Sequence, residues 1–158
     1  MFGRILKVDL TSGSITREQV PAEWARDYIG GSGLAARLLW EALDPAGDPR
    51  DPRSPLLFAT GPLTGTGGPT TGRFTICARS PYTGLWGEAN IGGFVGPELR
   101  LAGVDILWIS GRAARPVYLW IHNEQVEIRN AAGLWGQTDI YQTQTAIREQ
   151  VGVAQAKV

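Results

Sequence analysis

Three glycine-centred segments hold the residues whose types and spacing could do chemistry. The longest covers residues 61–73, where twelve mostly small or turn-forming residues end in Arg73. Small residues expose backbone N–H groups to a ligand, and an arginine at the loop exit can bind a phosphate through two parallel hydrogen bonds. The alternative is a flexible surface loop with a solvated arginine, and the residues alone favour neither interpretation.

The second segment places Asn90 two residues before Gly92 and Gly93, which lead into a predicted helix. Asn90 can hydrogen-bond a ligand rich in heteroatoms, and the glycines would let that ligand approach the helix N-terminus, which attracts anions. Taken alone, the segment favours a simpler interpretation, in which Asn90 caps the helix and no ligand binds.

The third segment, residues 31–36, fits the dinucleotide-binding pattern G-x-G-x-x-A. That pattern requires a strand directly before its glycines. Here residues 22–28 carry Trp24 and Tyr28 four positions apart and predict a helix instead. We therefore expect a helix end and a tight turn into the next helix. Nucleotide binding stays a rival function that a strand before Gly30 would support.

The remaining reactive side chains form no recognisable constellation. His122 is the only histidine and lies at a predicted strand end, and Cys77 alternates within a strand and predicts a core position. The spacing of the acidic residues is not typical of a catalytic pair for any particular reaction; these residues are Glu88, Glu98 and Asp105. The sequence therefore assigns no catalytic residue and no metal ligand.

The composition limits the classes of protein to which this chain can belong. The 158 residues are 43% hydrophobic and 19% charged, which is typical of a globular domain. Fifteen basic residues balance fifteen acidic ones, so charge predicts no nucleic-acid or membrane partner. No apolar run approaches the ~18 residues that span a bilayer. One cysteine allows no internal disulfide, and with no visible signal peptide it indicates a reducing, cytoplasmic setting.

The elements that must position these segments follow from periodicity. Apolar residues alternate along a hairpin over 4–20, and Leu34, Leu38 and Leu39 share one face of a helix over 34–43. Residues 44–55 carry four prolines and predict an exposed loop. The other predicted elements are strands over 56–59, 73–78, 85–90, 105–110, 117–122 and 125–129, and helices over 21–28, about 94–101, and from the N-cap Thr138 to about 151. Together they predict an α+β, sheet-dominated fold, and a hairpin followed by a helix at both ends suggests an internal pseudo-duplication.

Several short motifs, in this order along the chain, resemble the N-terminal domain of the aldehyde:ferredoxin oxidoreductase family. Each motif is weak alone, but the ordered set covers essentially the whole chain. They are FGRILKVDLTSG at 2–13, GGSGL at 30–34, ATGPLTGT at 59–66, GRF at 72–74, SPYTG at 80–84, ANIGGF at 89–94 and LWG at 134–136. Many relatives carry arginine or lysine where this chain has Ser32, which weakens any role for that turn.

The resemblance implies a cofactor and a reaction. The cofactor is a tungsten or molybdenum ion held by two pyranopterins, near a [4Fe-4S] cluster. The reaction oxidises aldehydes to carboxylic acids with ferredoxin as electron acceptor. The family's pterin contacts match Arg73, Asn90 and Gly92 here. Arg73 would bind a pterin phosphate or ring heteroatom, and Asn90 and the Gly92 backbone would hydrogen-bond the pterin.

The resemblance also implies how much of the machinery this chain carries. Residues 1–158 are expected to form a single, incomplete N-terminal domain with two β-sheets, a β-rich base for the cofactor. The cluster-binding cysteines and proton-transfer residues belong to later domains, so this chain alone is expected to be inactive. Its glycine loops should face a space that the other domains close. A homodimer fits the resemblance by analogy. The rival interpretation is a non-catalytic module for assembly or partner binding.

Overall fold

The computed structural model describes residues 2–136 and 139–158, which form a mixed α+β domain with eight strands and four helices. None of these helices is long and apolar enough to cross a membrane. The elements are β1 Arg4–Asp9, β2 Ser14–Gln19, α1 Ala22–Tyr28, α2 Gly31–Ala42, β3 Leu56–Thr60, β4 Phe74–Arg79, β5 Trp86–Ile91, α3 Val95–Leu101, β6 Ile106–Ser110, β7 Val117–His122, β8 Gln125–Asn130 and α4 Ile140–Val151.

Six strands form one sheet in the order β2-β1-β6-β3-β4-β5, and β7 and β8 form a separate two-stranded sheet. Only β1 and β6 pair in parallel, and the other neighbours are antiparallel. The predicted fold class and the two sheets are therefore confirmed. Strand β5 has a partner on one side only, so its outer backbone edge is accessible. Most of its side chains, including that of Asn90, are exposed as well.

The central strands of the large sheet are covered on both faces, and successive side chains of a strand point to opposite sides. Leu57 and Ala59 pack with α2 on one face, whereas Phe58 packs on the other with α3 and the β7–β8 hairpin. The predicted apolar stripe of α2 is confirmed, since Leu34, Leu38 and Leu39 are all buried. Each such side chain stabilises the fold by roughly 1.5–3 kcal/mol.

The junction between α1 and α2 differs from the prediction. Gly31 begins α2 rather than belonging to a break before it, and the chain turns at Ile29 instead. Ile29 has φ 64° and ψ −59°, and the Gly30 N–H donates to the Tyr28 carbonyl at 2.7 Å. These values describe a γ-turn of the strained type. A Cβ on Gly33 would lie 2.8 Å from the Tyr28 carbonyl oxygen, so the glycines serve close packing. A helix, not a strand, precedes them, which removes the nucleotide-binding rival.

The proline-rich loop over 44–55 is largely exposed, as predicted, but it is anchored to the sheet. Pro55 is fully buried at the start of β3. The Arg79 guanidinium donates to the carbonyl oxygens of Asp44, Pro45 and Gly47 at 2.8–3.1 Å. A β4 side chain therefore holds the loop against the sheet, a contact that loop composition does not reveal.

The last helix begins with a capping box at Asp139. The Asp139 carboxylate accepts from the backbone N–H of Gln142 at 2.7 Å, and the Gln142 side chain accepts from the Asp139 N–H. Asp139 thus takes the position predicted for Thr138, and Thr138 itself lies outside the described residues. The chain turns after the helix at Gly152, which is left-handed with φ 69°.

A buried carboxylate joins the beginnings of β1 and β6 to the end of α3. Asp105 is completely buried and accepts from the backbone N–H groups of Gly3 and Arg4, each at 2.8 Å. The Arg4 Nε and the Arg100 Nη1 donate to the same carboxylate at 3.1 and 2.5 Å. Sequence reasoning left Asp105 unpaired, because Arg4 lies 101 residues away along the chain.

The Asp105 network is expected to make folding stability pH-dependent in acid. Burial acts to raise the pKa of Asp105, but the hydrogen bonds from Arg4 and the charges of Arg100 and Arg4 outweigh it, so the pKa lies below its ordinary 3.8. A carboxyl group whose pKa is lower in the folded state than in the unfolded state stabilises the fold at pH values above 3.8. This stabilisation is lost as the pH falls through the folded-state pKa. Urea unfolding at pH 3–7 should show a smaller acid loss for Asp105→Asn than for the unchanged chain. Parallel pH profiles would contradict this.

Candidate functional site

The first two of the three glycine-centred segments, residues 61–73 and residues 90–93, lie side by side. A Cβ built on Gly72 would sit 2.7 Å from the carbonyl oxygen of Gly93, and one built on Gly96 would sit 3.1 Å from the carbonyl oxygen of Gly72. Backbones approach this closely only where side chains are absent. The two loops therefore form one continuous surface where β4 begins and β5 ends.

Loop 61–73 is held by its own hydrogen bonds. The buried Thr64 hydroxyl accepts from the Gly61 N–H at 3.0 Å and donates to the Arg73 carbonyl at 2.9 Å, closing the loop at its base. The Gly65 N–H donates to the Thr71 carbonyl at 2.9 Å and closes a second, outer ring. This bonding does not fit the flexible loop that was one of the two interpretations.

The side chains of Arg73 and Asn90 contact each other on this surface. Arg73 precedes β4 by one residue, and its Nη1 donates to the Asn90 Oδ1 at 2.5 Å. Thr75 pairs with Asn90 across the sheet, so alternation places Arg73 and Asn90 on the same face. Because a guanidinium only donates, the Asn90 oxygen faces it, and the amide NH2 stays available as a donor.

Asn90 does not cap a helix. It lies within β5, and the N-cap of α3 is Phe94, which makes no side-chain cap hydrogen bond. The predicted role of this asparagine as a helix cap is therefore wrong, and its role in ligand binding stays a prediction. Since α3 begins only at Val95 and has seven residues, its dipole adds little, and the exposed backbone is the relevant feature.

Gly92 presents bare backbone to open space. Apart from its chain neighbours, no atom of the described residues lies within 4 Å of a Cβ built on Gly92, and the same holds for Gly93. Both glycines are exposed and lie beside Asn90. A flat ligand could therefore reach the main-chain N–H and C=O groups here without displacing a side chain.

Arg73, Asn90 and Gly92 form an arrangement that can bind a ligand, but none of the three is a nucleophile or a general acid or base. It offers a cation, an amide and an open backbone, which together suit a flat, phosphate-bearing ligand. Cys77 is fully buried in the core as predicted, and this burial raises the pKa of its thiol to about 11. Among residues 2–136 and 139–158, no group of three or more His, Cys, Asp or Glu is placed to hold a metal ion.

Sequence reasoning missed one polar contact beside the site. The Ser32 hydroxyl donates to the Glu88 Oε1 at 2.7 Å, and the Trp86 Nε1 donates to the Glu88 Oε2 at 3.2 Å. Trp86, Glu88 and Asn90 alternate along β5 and so share a face. The alternation along β5 can be read from the sequence. The contact between Glu88 and Ser32 cannot, because the two residues are 56 positions apart.

An apolar groove of about 680 Å³ adjoins the polar site, between α2 and the β4–β5 hairpin. Trp40 and Leu85 line it and are 80% and 70% exposed. Apolar exposure on this scale is typical of a surface that another protein segment covers.

Comparison with known proteins gives a consistent result. Residues 5–158 match the family described as aldehyde ferredoxin oxidoreductase, N-terminal domain. The chain is 46% identical over 151 residues to the tungsten-containing aldehyde ferredoxin oxidoreductase of Pyrococcus abyssi (strain GE5 / Orsay), covering 96% of this chain and 25% of that protein. It is 41% identical over 157 residues to the protein of the same name from Pyrococcus furiosus, covering 99% and 26%.

Relatives with other names share the same region. An aliphatic sulfonate oxidoreductase, WOR-like subunit, of Pyrococcus furiosus is 37% identical over 153 residues, covering 93% of this chain and 24% of that protein. The active site complex BamBC of benzoyl coenzyme A reductase with 1,5 dienoyl-CoA contains a chain that superposes with a TM-score of 0.93 at 37% identity. That match covers 97% of this chain and 23% of the solved one. The chain thus spans about a quarter of the length of the curated relatives it matches.

Proposed function

Since this chain belongs to the aldehyde ferredoxin oxidoreductase family, whose N-terminal domain it matches over nearly its whole length, we propose that its two glycine loops bind the pterin of a tungsten or molybdenum cofactor. The observation that carries the proposal is the convergence of Arg73, Asn90 and the open Gly92 backbone on one surface. The family resemblance implies the same three residues as pterin contacts.

The residues present suit a pyranopterin. Its phosphate needs a cation, which the exposed Arg73 guanidinium supplies. Its ring needs hydrogen-bond donors and acceptors, which the Asn90 amide and the Gly92 main chain supply. The empty Cβ direction at Gly92 leaves room for a flat ring. In this proposal the domain binds and orients the cofactor, and its residues carry no proton in the reaction.

The bound cofactor would supply the two-electron exchange that oxidises an aldehyde to a carboxylic acid, with ferredoxin as the electron acceptor. A [4Fe-4S] cluster would need cysteines from the rest of the protein, because Cys77 is the single cysteine of this chain and is buried. Activity is therefore proposed for the full-length protein, in the cytoplasm and as a homodimer by family analogy.

The substrate class is proposed from the relatives. Relatives named tungsten-containing aldehyde ferredoxin oxidoreductase are 41–46% identical, whereas the one named for an aliphatic sulfonate is 37% identical. The higher identity to the aldehyde ferredoxin oxidoreductases supports an aldehyde as the substrate of the full-length protein. The groove lined by Trp40 and Leu85 fits a surface that the rest of the protein would cover.

Metal and pterin analysis of the full-length protein tests the proposal. We expect tungsten or molybdenum together with two pterins for each metal ion, and aldehyde-dependent reduction of ferredoxin. Purified protein without pterin, from cells that load a control tungsten enzyme, would favour the rival module for assembly or partner binding. A downstream reading frame containing a Cys-x-x-Cys-x-x-x-Cys run would count against that rival.

Gly92→Ala is expected to lower pterin content while leaving the fold intact. The added methyl would fill the space proposed for the ring, and no described atom opposes it in the absence of cofactor. We expect pterin per chain to fall by roughly tenfold, as a lost contact worth about 1.4 kcal/mol would produce. Gly133→Ala, another substitution into open space, should leave pterin content unchanged. Equal pterin content in the two variants would contradict the placement of the cofactor at Gly92.

A further inference from the structure

A side chain closes the base of the loop that ends at Arg73. Strands β3 and β4 pair antiparallel as far as Thr60 and Phe74, so the next pair in register is Gly61 and Arg73. The Thr64 hydroxyl lies between these two residues, accepting from the Gly61 N–H at 3.0 Å and donating to the Arg73 carbonyl at 2.9 Å. The hydroxyl thus bridges the two strands and extends their pairing to Arg73.

The Thr64 side chain is itself fixed in position. It is only 5% exposed, and its hydroxyl donates one hydrogen bond and accepts another. A Cβ built on Gly96 would lie 3.2 Å from the Thr64 methyl group and 3.1 Å from the Gly72 carbonyl oxygen. A branched side chain that is packed and hydrogen-bonded in this way is restricted to one orientation. Thr64 therefore joins the loop to the beginning of α3 as well as to both strands.

We propose that Thr64 is a positioning residue for Arg73, whose backbone its hydroxyl holds in the register of the sheet. This inference rests on the proposed function, in which Arg73 binds the cofactor phosphate. Side chains alternate between the faces of a strand, so a slip of one residue would turn the Arg73 side chain toward the other face. The bond from the Arg73 guanidinium to the Asn90 side chain requires the present face.

A fixed Arg73 backbone lowers the cost of binding a phosphate. An arginine side chain has many rotamers, and it loses much of that freedom when it binds a ligand. The Arg73 side chain is exposed, so its backbone is the part that the protein can hold in advance. Supporting hydrogen bonds of this kind keep binding groups in a precise geometry. Removal of the Thr64 hydroxyl should therefore weaken cofactor retention, although Thr64 itself does not bind the cofactor in this proposal.

The alternative is that the Thr64 hydroxyl contributes only to folding stability. Another buried threonine supplies the comparison, because Thr60 is completely buried and its hydroxyl donates to the Asp105 carbonyl at 2.8 Å. Thr60→Val also removes a buried hydroxyl, but it leaves the two hydrogen bonds of Thr64 in place. A general loss of stability would affect cofactor retention in both valine variants, whereas a loss of positioning would affect Thr64→Val alone.

The test compares full-length Thr64→Val, Thr64→Ser and Thr60→Val with the unchanged protein. Oxidised-pterin fluorescence measures the rate of pterin release in mild urea. Tryptic cleavage after Arg73 in the cofactor-free form measures how well the base of the loop is held, without reference to the cofactor. The thermal midpoint of the cofactor-free form measures folding stability.

Thr64→Val should release pterin roughly 3- to 10-fold faster, because the Arg73 guanidinium would occupy its binding position for only about a third to a tenth of the time. The same variant should be cleaved faster after Arg73. Thr64→Ser keeps the hydroxyl and should restore both the release rate and the resistance to trypsin. Thr60→Val should match the unchanged protein in both measurements.

Unchanged pterin release in Thr64→Val would overturn the inference while leaving the proposed function in place, provided that Arg73→Ala loses cofactor. Equally fast release in Thr60→Val would overturn it too, since retention would then follow general stability. Normal retention in Arg73→Ala would remove the proposed site and this inference with it. If Thr64→Val folds poorly, Thr64→Ala decides, because it leaves room for a water molecule between the same two backbone groups. Faster release from a normally stable Thr64→Ala supports the role of Thr64, and release at the unchanged rate contradicts it.

Discussion

Asp105→Ala is expected to lower the free energy of unfolding by about 3–5 kcal/mol, the cost of removing one partner of a buried charge pair. The substitution leaves the Gly3 and Arg4 N–H groups without their acceptor, and it leaves Arg100 without the carboxylate that neutralises it. It also loosens the point where the end of α3 meets the beginnings of β1 and β6. Urea unfolding of the chain, followed by tryptophan fluorescence, measures the loss.

An exposed pair supplies the control for Asp105. Asp27 bonds the neighbouring Arg26 at 2.8 Å, but both side chains are more than half exposed. Asp27→Ala should change the free energy of unfolding by less than about 0.5 kcal/mol. A loss below about 1 kcal/mol for Asp105→Ala would contradict the importance of the buried network, because water would then be replacing the carboxylate at little cost.

Arg73→Ala is expected to remove most of the tungsten and pterin from the full-length protein, with little change in folding stability. The Arg73 guanidinium is exposed and hydrogen-bonds the side chain of Asn90, which is also exposed. A charged, bidentate phosphate contact is worth about 1.5–3 kcal/mol, which corresponds to roughly 10- to 100-fold in retention. Tungsten by elemental analysis and pterin by fluorescence measure the effect.

Two variants sharpen the test of Arg73. Arg73→Lys keeps the positive charge but cannot form two parallel hydrogen bonds to a phosphate. Its cofactor content should therefore lie between those of the unchanged protein and Arg73→Ala. Arg115→Ala removes an exposed arginine between β6 and β7 and should leave cofactor content unchanged. Unchanged tungsten and pterin occupancy in Arg73→Ala would reject the assignment of Arg73.

The sequence was sufficient for features that depend on neighbouring residues. Alternation predicts the hairpin over 4–20, and the spacing of Leu34, Leu38 and Leu39 predicts the buried face of α2, because strand and helix repeats are short. Residue type also pointed to Arg73 and to the loop that precedes it. The ordered motifs were enough to identify the family, which the comparisons confirm.

Only the tertiary structure determined which distant residues meet. Arg73 reaches Asn90 across 17 residues, Ser32 reaches Glu88 across 56, and Arg4 reaches Asp105 across 101. Local periodicity carries no information about strand order or register, and these decide all three contacts. The sequence by itself thus identified the two loops with suitable chemistry. Their close approach at Gly72 and Gly93, which makes them one surface, follows from the antiparallel pairing of β4 with β5.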